Sequence, residues 1–222
     1  LQKRVDGLLL MCSEVESQSI DLFAKHSVVP TVVMDWGPTN FPCDKIQDNS
    51  YRGGYMATQH LLDKGHTDIG CITGVLDKQT AEQRYRGFVD AMQAANCTVN
   101  PEWIAAGDFE CEGGASAFET LYSRGTLPSA LFVCNDMMAM SVINAASKKG
   151  IRVPEDLSII GYDDIQLARY ITPSLTTIHQ PKFRLGQQAV DTLLERIVNK
   201  RETEQVIAME PTLVERDSVR SM

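Results

Sequence analysis

The feature that most constrains the fold of this chain is a regular alternation of short apolar runs with longer stretches of helical periodicity. Short apolar runs are typical of buried strands, and apolar residues spaced by three or four positions are typical of amphipathic helices. The alternation predicts an α/β fold with parallel sheets, because each helix returns the chain to begin another strand in the same direction. The predicted strands are 7–11, 31–34, 69–73, 102–106, 130–133, 157–161, 175–179 and 205–210.

The predicted helices lie between these strands, and several start at residues that commonly begin helices. Ser50 precedes one helix, Asp136 is expected to cap another, and Pro181 lies at the first turn of the last long one. The predicted helical ranges are 15–26, 52–64, 80–95, 113–124, 136–149, 165–170 and 182–199.

Composition and charge limit the possible classes of function. The chain has 222 residues, of which 43% are hydrophobic and 23% are charged, so it is long enough for one large domain or two small lobes. Its net charge of −8 is spread along the chain without a basic patch, and we do not expect this polypeptide to grip nucleic acid by itself. We also expect no membrane partner, because no apolar run approaches the length of a membrane span.

The reactive residue types form no recognisable catalytic or metal-binding pattern. The six cysteines are far apart, without a CxxC pair, which fits a reducing cytoplasmic setting and predicts no metal site. None of the four histidines is expected beside a serine or cysteine nucleophile, and GxGxxG, GxxxxGK[ST], HExxH and GxSxG are absent. We therefore predict a protein that is not an enzyme, with no catalytic residue and no cofactor.

The residues that follow the predicted strands form the candidate binding site, because ligands of open parallel sheets bind beyond the carboxyl ends of the strands. Phe109 and Trp36 offer flat apolar faces to a sugar ring or a base. Asp163 can accept hydrogen bonds from neighbouring hydroxyls, and Arg84 can donate in a fork. The candidate ligand-binding residues are Asp35, Trp36, Arg84, Phe109, Asn135, Asp163 and Gln180.

These candidates have structural alternatives. Trp36 and Phe109 could be core aromatics, since aromatic residues often fill cores. An ordinary ion pair on a helix surface is the default for Arg84. Asp136 is better explained as a helix cap than as a ligand contact.

Two adjacent aspartates, Asp163 and Asp164, could suggest acid/base chemistry. Adjacent residues that leave a strand point in different directions, so the two carboxylates are not expected to meet at one substrate atom. We predict that Asp163 faces the ligand and that Asp164 caps a helix beginning at Ile165.

Several segments, taken together, resemble one known family over nearly the whole chain. They include "VDGLLLMCSE", "VPTVVMDWG", "CNDMMAM" and the highly specific combination of "GYDD" with "LTTIHQP". The chain resembles the effector-binding core of the lactose/galactose repressor (LacI/GalR) family. Within that family it is most similar to ribose-responsive members and next to purine-responsive members.

The resemblance implies a two-lobed fold of the type I periplasmic-binding-protein kind, with three crossovers between the lobes and a ligand between them. One lobe would comprise 1–49 and 181–211, and the other 50–180 and 212–222. Family members also carry a DNA-binding headpiece and a first βαβ unit of the first lobe. We expect both to be missing from this chain.

The resemblance also implies a function. It places Arg84, Phe109, Asp163 and Gln180 at ligand-contact positions of the family, and Asp35 and Trp36 at a further one. Asn135 resembles the sugar-binding members and favours ribose or a related sugar, whereas Thr80 resembles the purine-responsive members.

The implied protein is a homodimeric transcriptional repressor that binds operator DNA only through its headpiece. Ribose would act as an inducer. The alternatives are a repressor with hypoxanthine or guanine as corepressor, and a periplasmic sugar-binding protein of a transporter.

Overall fold

The apolar runs of the sequence become two separate sheets in the computed structural model, which describes residues 5–11, 29–34 and 43–222. The chain divides into a first unit, Leu1–Asn49 with Pro181–Glu210, and a second unit, Ser50–Gln180 with Pro211–Met222. We had expected Pro211 in the first lobe. It belongs instead to the second unit, because the strand that begins directly after it pairs with the sheet of that unit.

Helices and strands alternate along most of the described chain, which confirms the α/β prediction. The strands are β1 (Leu8–Leu10), β2 (Thr31–Met34), β3 (Asp44–Asp48), β4 (Ile69–Thr73), β5 (Ile104–Ala106), β6 (Ala130–Val133), β7 (Ser158–Asp163), β8 (Thr176–His179), β9 (Val206–Met209) and β10 (Thr212–Val214). The helices are α1 (Ser50–Asp63), α2 (Gln79–Ala94), α3 (Cys111–Ser123), α4 (Asp136–Lys148) and α5 (Lys182–Asn199). Two short 3-10 helices cover Pro101–Trp103 and Gln166–Arg169, the second where an α-helix over 165–170 was predicted. The helix predicted over 15–26 lies outside the described residues.

The described part of the first unit is a parallel sheet in the order β1-β2-β3-β9, with α5 packed against it. Strand β3 was not predicted, because its sequence "DKIQD" is mostly polar. Its first residue, Asp44, is fully buried, with Oδ2 2.9 Å from Arg201 Nη2 and 3.2 Å from Arg196 Nη1. Burial would raise the pKa of Asp44, but hydrogen bonds from Arg201 and from the backbone N–H of Gln205, together with the charge of Arg196, outweigh that effect and hold the pKa below its ordinary value. Ion pairing therefore makes a polar strand possible inside this sheet.

The second unit contains the larger sheet, whose order within the described chain is β10-β8-β7-β6-β4-β5. Strands β4 to β8 run parallel to one another, and β10 pairs with β8 in the antiparallel direction. The core of this unit is built on β4, β6 and β7, with side chains such as Ile72, Phe132 and Ile160 fully buried. Because all five parallel strands end at the same edge, the loops that follow them come together there.

Helices α1 and α2 approach each other closely through glycines. A methyl group on Gly54 would lie 2.1 Å from the backbone oxygen of Arg84, and one on Gly87 would lie 2.2 Å from that of Tyr51. Any larger residue at either position would push the helices apart. This close contact holds α2, and with it the backbone of Arg84, against α1.

Candidate functional site

The carboxyl edge of the second sheet carries most of the predicted ligand-binding residues. Phe109 lies in the loop after β5, Asn135 follows β6, Asp163 ends β7 and Gln180 follows β8. Arg84 comes from the second turn of α2, which follows β4. The structure thus brings the candidates of the second unit to one edge. Asp35 and Trp36 lie outside the described residues, and their assignment stays a prediction.

Arg84 is a buried residue, only 2% exposed, and not the exposed helix-surface ion pair that we named as its default. Its guanidinium stacks on the ring of Tyr162 at 3.7 Å from the ring centroid, and Nη1 donates a 2.6 Å hydrogen bond to the carbonyl of Cys134. Its Nη2 lies 3.6 Å from Oδ1 of Asp163, which is longer than a direct hydrogen bond. Stacking and the carbonyl bond therefore hold the guanidinium in place, with one edge toward Asp163.

Phe109 has a positive φ of 75°, which is unusual for a residue with a bulky side chain. A methyl group at Gly74 would lie 2.0 Å from Cζ of Phe109, so the ring occupies the space that a side chain there would need. The ring is half-buried and packs against the edge of the core. Phe109 is thus partly a core aromatic, and it lies in the loop at the carboxyl edge of the sheet.

Asn135, not Asp136, caps helix α4, so that prediction was wrong. The side-chain oxygen of Asn135 accepts a 2.9 Å hydrogen bond from the backbone N–H of Met138, and its Nδ2 donates a 2.8 Å hydrogen bond to the carbonyl of Phe109. Asp136 is fully buried and accepts hydrogen bonds from Thr177 Oγ1 at 2.6 Å and from Ile165 N at 2.9 Å. Both side chains therefore hold neighbouring loops together. Both polar atoms of the Asn135 side chain, which suggested a sugar ligand, thus make hydrogen bonds within the protein.

The prediction that Asp164 caps a helix was also wrong. The 3-10 helix after it begins without a side-chain cap. The carboxylate of Asp164 instead binds Arg216 Nη2 at 2.6 Å and His179 Nδ1 at 2.9 Å. Burial by itself would raise the pKa of Asp164, but the hydrogen bonds from Arg216 and His179 outweigh it, so the pKa lies below its ordinary value. Asp163 points elsewhere, with its side chain 19% exposed and near Arg84. The two aspartates therefore diverge, as the strand geometry predicted.

Two buried threonine hydroxyl groups beside this edge have no hydrogen-bond partner among the described residues. Thr73 ends β4, Thr80 lies in the first turn of α2, and both are at least 94% buried. Among the described residues neither Oγ1 has a hydrogen-bond partner. Buried hydroxyls are normally satisfied, so these two are exceptions, but both oxygens are closed off from the surface and a ligand atom can reach them only if neighbouring atoms move. Thr73 was missed by the sequence analysis, since threonine is common inside strands.

One histidine does lie beside a serine, contrary to our expectation. Nδ1 of His66 is 2.9 Å from Ser129 Oγ, while Nε2 is 3.1 Å from the carbonyl of Arg220. A carbonyl oxygen can only accept, so Nε2 carries the proton of the neutral ring. Ser129 Oγ also lies 3.0 Å from the carbonyl of Asp68, so its one proton is shared between that oxygen and Nδ1. His66 is 1% exposed, and its contact with Arg220 ties the C-terminal segment to the sheet. Among the described residues, no group of three or more His, Cys, Asp or Glu side chains is placed to hold a metal ion.

Comparison with known families and structures identifies the fold. A family model described as the periplasmic binding protein-like domain matches residues 58–219. The chain belongs to that family. Within the periplasmic binding protein-like family, it has the effector-binding core of the LacI/GalR regulators, as the resemblance implied.

Relatives with curated names in the periplasmic binding protein-like family include repressors. The chain is 52% identical over 221 residues to the HTH-type transcriptional repressor PurR of Pasteurella multocida (strain Pm70), and 53% identical over 224 residues to PurR of Haemophilus influenzae (strain PittEE). Both alignments cover 100% of this chain and 66% of the relative. The chain therefore spans slightly less than two thirds of these relatives. Their names do not support the ribose assignment.

Solved structures share the fold of this periplasmic binding protein-like domain. The transcriptional regulator CelR in a cellobiose complex has a TM-score of 0.91 at 28% identity, covering 98% of this chain and 67% of its own. A LacI family transcriptional regulator from Enterococcus faecium with bound ribose has a TM-score of 0.89 at 29% identity, covering 98% and 81%. These proteins are regulators, in line with the prediction of a protein that is not an enzyme. Within the described residues, no helix is both long and apolar enough to cross a membrane.

Proposed function

We propose that this chain is the effector-binding core of a transcriptional repressor whose effector is a purine base. The observation that carries the proposal is the agreement of the chain, at 52% and 53% identity, with repressors named PurR. The aligned region covers the whole chain, so it includes the carboxyl edge of the second sheet. The E. faecium regulator with bound ribose is only 29% identical and supports a sugar less strongly.

The chemistry of the site supports a flat heterocycle. Phe109 offers a ring face on which a base can stack. Asp163 can accept from a ring N–H, and the guanidinium of Arg84 can donate to a ring nitrogen or a carbonyl oxygen. A base presents donors and acceptors at its edge and an apolar face, and these residues offer the complementary groups.

The sugar alternative depended on Asn135. Its oxygen caps α4 and its amide nitrogen holds the carbonyl of Phe109, so a ligand hydroxyl would have to compete with both hydrogen bonds. This competition disfavours a polyhydroxylated ligand at that position. It leaves the ring of Phe109 in place for a base.

The rest of the proposed function concerns the whole repressor. The protein would act in the cytoplasm as a homodimer and would bind operator DNA through an N-terminal headpiece. Effector binding would shift the conformational equilibrium toward the state with the higher effector affinity, with a coupling of ~1–3 kcal/mol typical of such systems. A purine would promote operator binding as a corepressor, whereas ribose would release it as an inducer.

Calorimetric titration of the full-length protein with hypoxanthine, guanine and ribose tests this proposal. We expect both purines to bind and ribose to give no heat of binding. Tight binding of ribose without purine binding would overturn the purine assignment. Fluorescence anisotropy with operator DNA then tests the sign, since hypoxanthine should strengthen DNA binding.

A pair of matched substitutions tests the site. Phe109→Leu keeps an apolar side chain and loses the flat face, so hypoxanthine affinity should fall about tenfold, within the ~1–3 kcal/mol range of base–aromatic stacking. Phe118→Leu is the control, because it makes the same change on the buried face of α3, where Phe118 is fully buried. The control should lower the melting temperature without changing the affinity. Equal affinities for wild type and Phe109→Leu would show that the ring does not contact the base.

A further inference from the structure

The turn that carries Asp163 is strained in a way that the sequence does not reveal. Asp163 has a φ of 112° and Asp164 has a φ of 51°. Positive φ values are uncommon for residues other than glycine and persist only where surrounding contacts enforce them. Two such residues in succession need strong anchors on either side.

The first anchor is Arg216, which lies just after β10. Its Nη2 donates to Asp164 Oδ1 at 2.6 Å, and its Nη1 donates to the carbonyl of Leu175 at 2.8 Å. The backbone N–H of Arg216 donates to Thr176 Oγ1 at 2.9 Å. The side chains of Arg216 and Asp164 are 13% and 9% exposed, so water competes little for this ion pair. Arg216 is therefore fixed at both ends and fixes Asp164 in turn.

Two further contacts hold the turn from the other side. His179 Nδ1 lies 2.9 Å from Asp164 Oδ2, and His179 is the residue of β8 that pairs in register with Asp163. Directly after the turn, Ile165 N donates to Asp136 Oδ2 at 2.9 Å. The backbone of the turn is thus tied to β8, to α4 and to the segment after β10.

The contact between Asp163 and Arg84 is looser than these anchors. The two side chains approach to 3.6 Å, against 2.6 Å for the pair of Arg216 with Asp164. The backbone of the turn, which these anchors hold, sets the direction in which the Asp163 side chain leaves β7. We infer that Arg216 is a positioning residue, which aims Asp163 at the effector by holding Asp164 in its strained conformation. This inference rests on the proposed function for the identity of the ligand.

The inference predicts a specific pattern among three variants. Arg216→Lys keeps the positive charge but loses the two guanidinium hydrogen bonds that join Asp164 to the carbonyl of Leu175. Hypoxanthine affinity should therefore fall about tenfold to 100-fold, because a shift of ~1 Å in the position of the Asp163 carboxylate can have an effect of this size. Asp164→Gly removes the strain at position 164, which is the strain that Arg216 is proposed to hold, because glycine adopts positive φ readily. In the Asp164→Gly background, Arg216→Lys should therefore produce no further loss of affinity.

A matched control separates positioning from general stability. Arg124 Nη1 donates to the carbonyls of Glu102 and Ile104, where β5 begins at the opposite edge of the same sheet. Arg124→Lys removes similar bonds far from the site and should leave hypoxanthine affinity unchanged. Thermal melting of all variants checks that they remain folded.

The experiment combines calorimetric titration of the full-length protein with hydrogen exchange of the ligand-free protein. Arg216→Lys should weaken hypoxanthine binding and speed amide exchange over 163–166, whereas Arg124→Lys should do neither. Wild-type affinity and unchanged exchange in Arg216→Lys would overturn the inference and leave the proposed function intact. An equal loss of affinity in the presence and absence of Asp164→Gly would also overturn it.

Failure of the proposed function gives a different result. If the wild-type protein binds no hypoxanthine, the purine assignment fails, and hydrogen exchange alone decides the role of Arg216. Faster exchange over 163–166 in Arg216→Lys would then support the positioning role, and unchanged exchange would refute it.

Discussion

Replacing Asn135 with alanine tests whether this amide serves the fold or the ligand. In the structure its oxygen caps α4 at Met138 N, and its nitrogen holds the carbonyl of Phe109. Asn135→Ala removes both hydrogen bonds. Asn135→Ser keeps a side-chain oxygen for the cap and loses only the bond to Phe109, so it serves as the intermediate variant.

The expected loss of stability follows from these two contacts. Removing an N-cap costs ~1 kcal/mol, and losing a buried hydrogen bond with its acceptor left behind costs ~1–3 kcal/mol. Asn135 is 7% exposed, so water replaces these bonds poorly. We expect Asn135→Ala to lower the free energy of unfolding by about 2–4 kcal/mol, and Asn135→Ser by about 1–3 kcal/mol.

Urea unfolding followed by circular dichroism measures these losses, and calorimetry with hypoxanthine measures the affinity of the same variants. We expect the hypoxanthine affinity of Asn135→Ser to lie within a few-fold of that of wild type, because this variant loses only the hydrogen bond to the carbonyl of Phe109. The reasoning is refuted if Asn135→Ala keeps full stability and abolishes effector binding. That result would make the amide a direct ligand contact and would revive the sugar assignment.

Three other predictions follow from single contacts. Gly54→Ala should destabilise the protein by ~1–3 kcal/mol in thermal melting, because its methyl group would lie 2.1 Å from the backbone oxygen of Arg84. Gly186→Ala is the control, because nothing lies within 4 Å of the added methyl group. It should be neutral or stabilising by up to ~1 kcal/mol. Asp164 has a folded-state pKa below its unfolded value of about 3.9, so its ion pairs stabilise the fold above that pH and lose their effect as the pH falls through the folded pKa. The urea midpoint of Asp164→Asn should therefore lie below that of wild type at pH 7, and the gap should narrow toward pH 3; a constant gap would contradict this. Asp163→Ala should abolish hypoxanthine binding in calorimetry with the fold kept, and retained affinity would show that the site lies elsewhere.

The sequence predicted those strands whose burial depends on apolar side chains alone. The bounds of β4 and β6 were predicted correctly, because each is a fully buried apolar run between polar turns. Strand β3 was missed because a buried Asp44 becomes favourable only when Arg196 and Arg201 come close in the fold. Those partners lie more than 150 residues away in the sequence, so local patterns carry no sign of them.

The same distinction applies to the site. The rule that ligands bind at the carboxyl ends of parallel strands placed Phe109, Asn135 and Asp163 at one edge, because it depends only on topology. The roles of Asp136 and Asp164 were predicted wrongly, because each depends on which partner the fold supplies. The ligand contact predicted for Asn135 stays a prediction. A residue that follows a strand can contact a ligand, cap a helix or tie two loops together, and only its partners decide which.

The two adjacent aspartates illustrate why a paired carboxylate is weak evidence for catalysis. Acid/base chemistry near neutral pH requires a carboxyl group whose pKa is raised toward the working pH. Asp164 has the opposite property, since Arg216 and His179 hold its pKa below the ordinary value. Its carboxylate binds those two side chains, whereas the carboxylate of Asp163 lies near Arg84, so the two carboxylates have different partners. The pair therefore divides into a carboxylate that anchors a strained turn and one that lies near Arg84, and the second is the proposed effector contact.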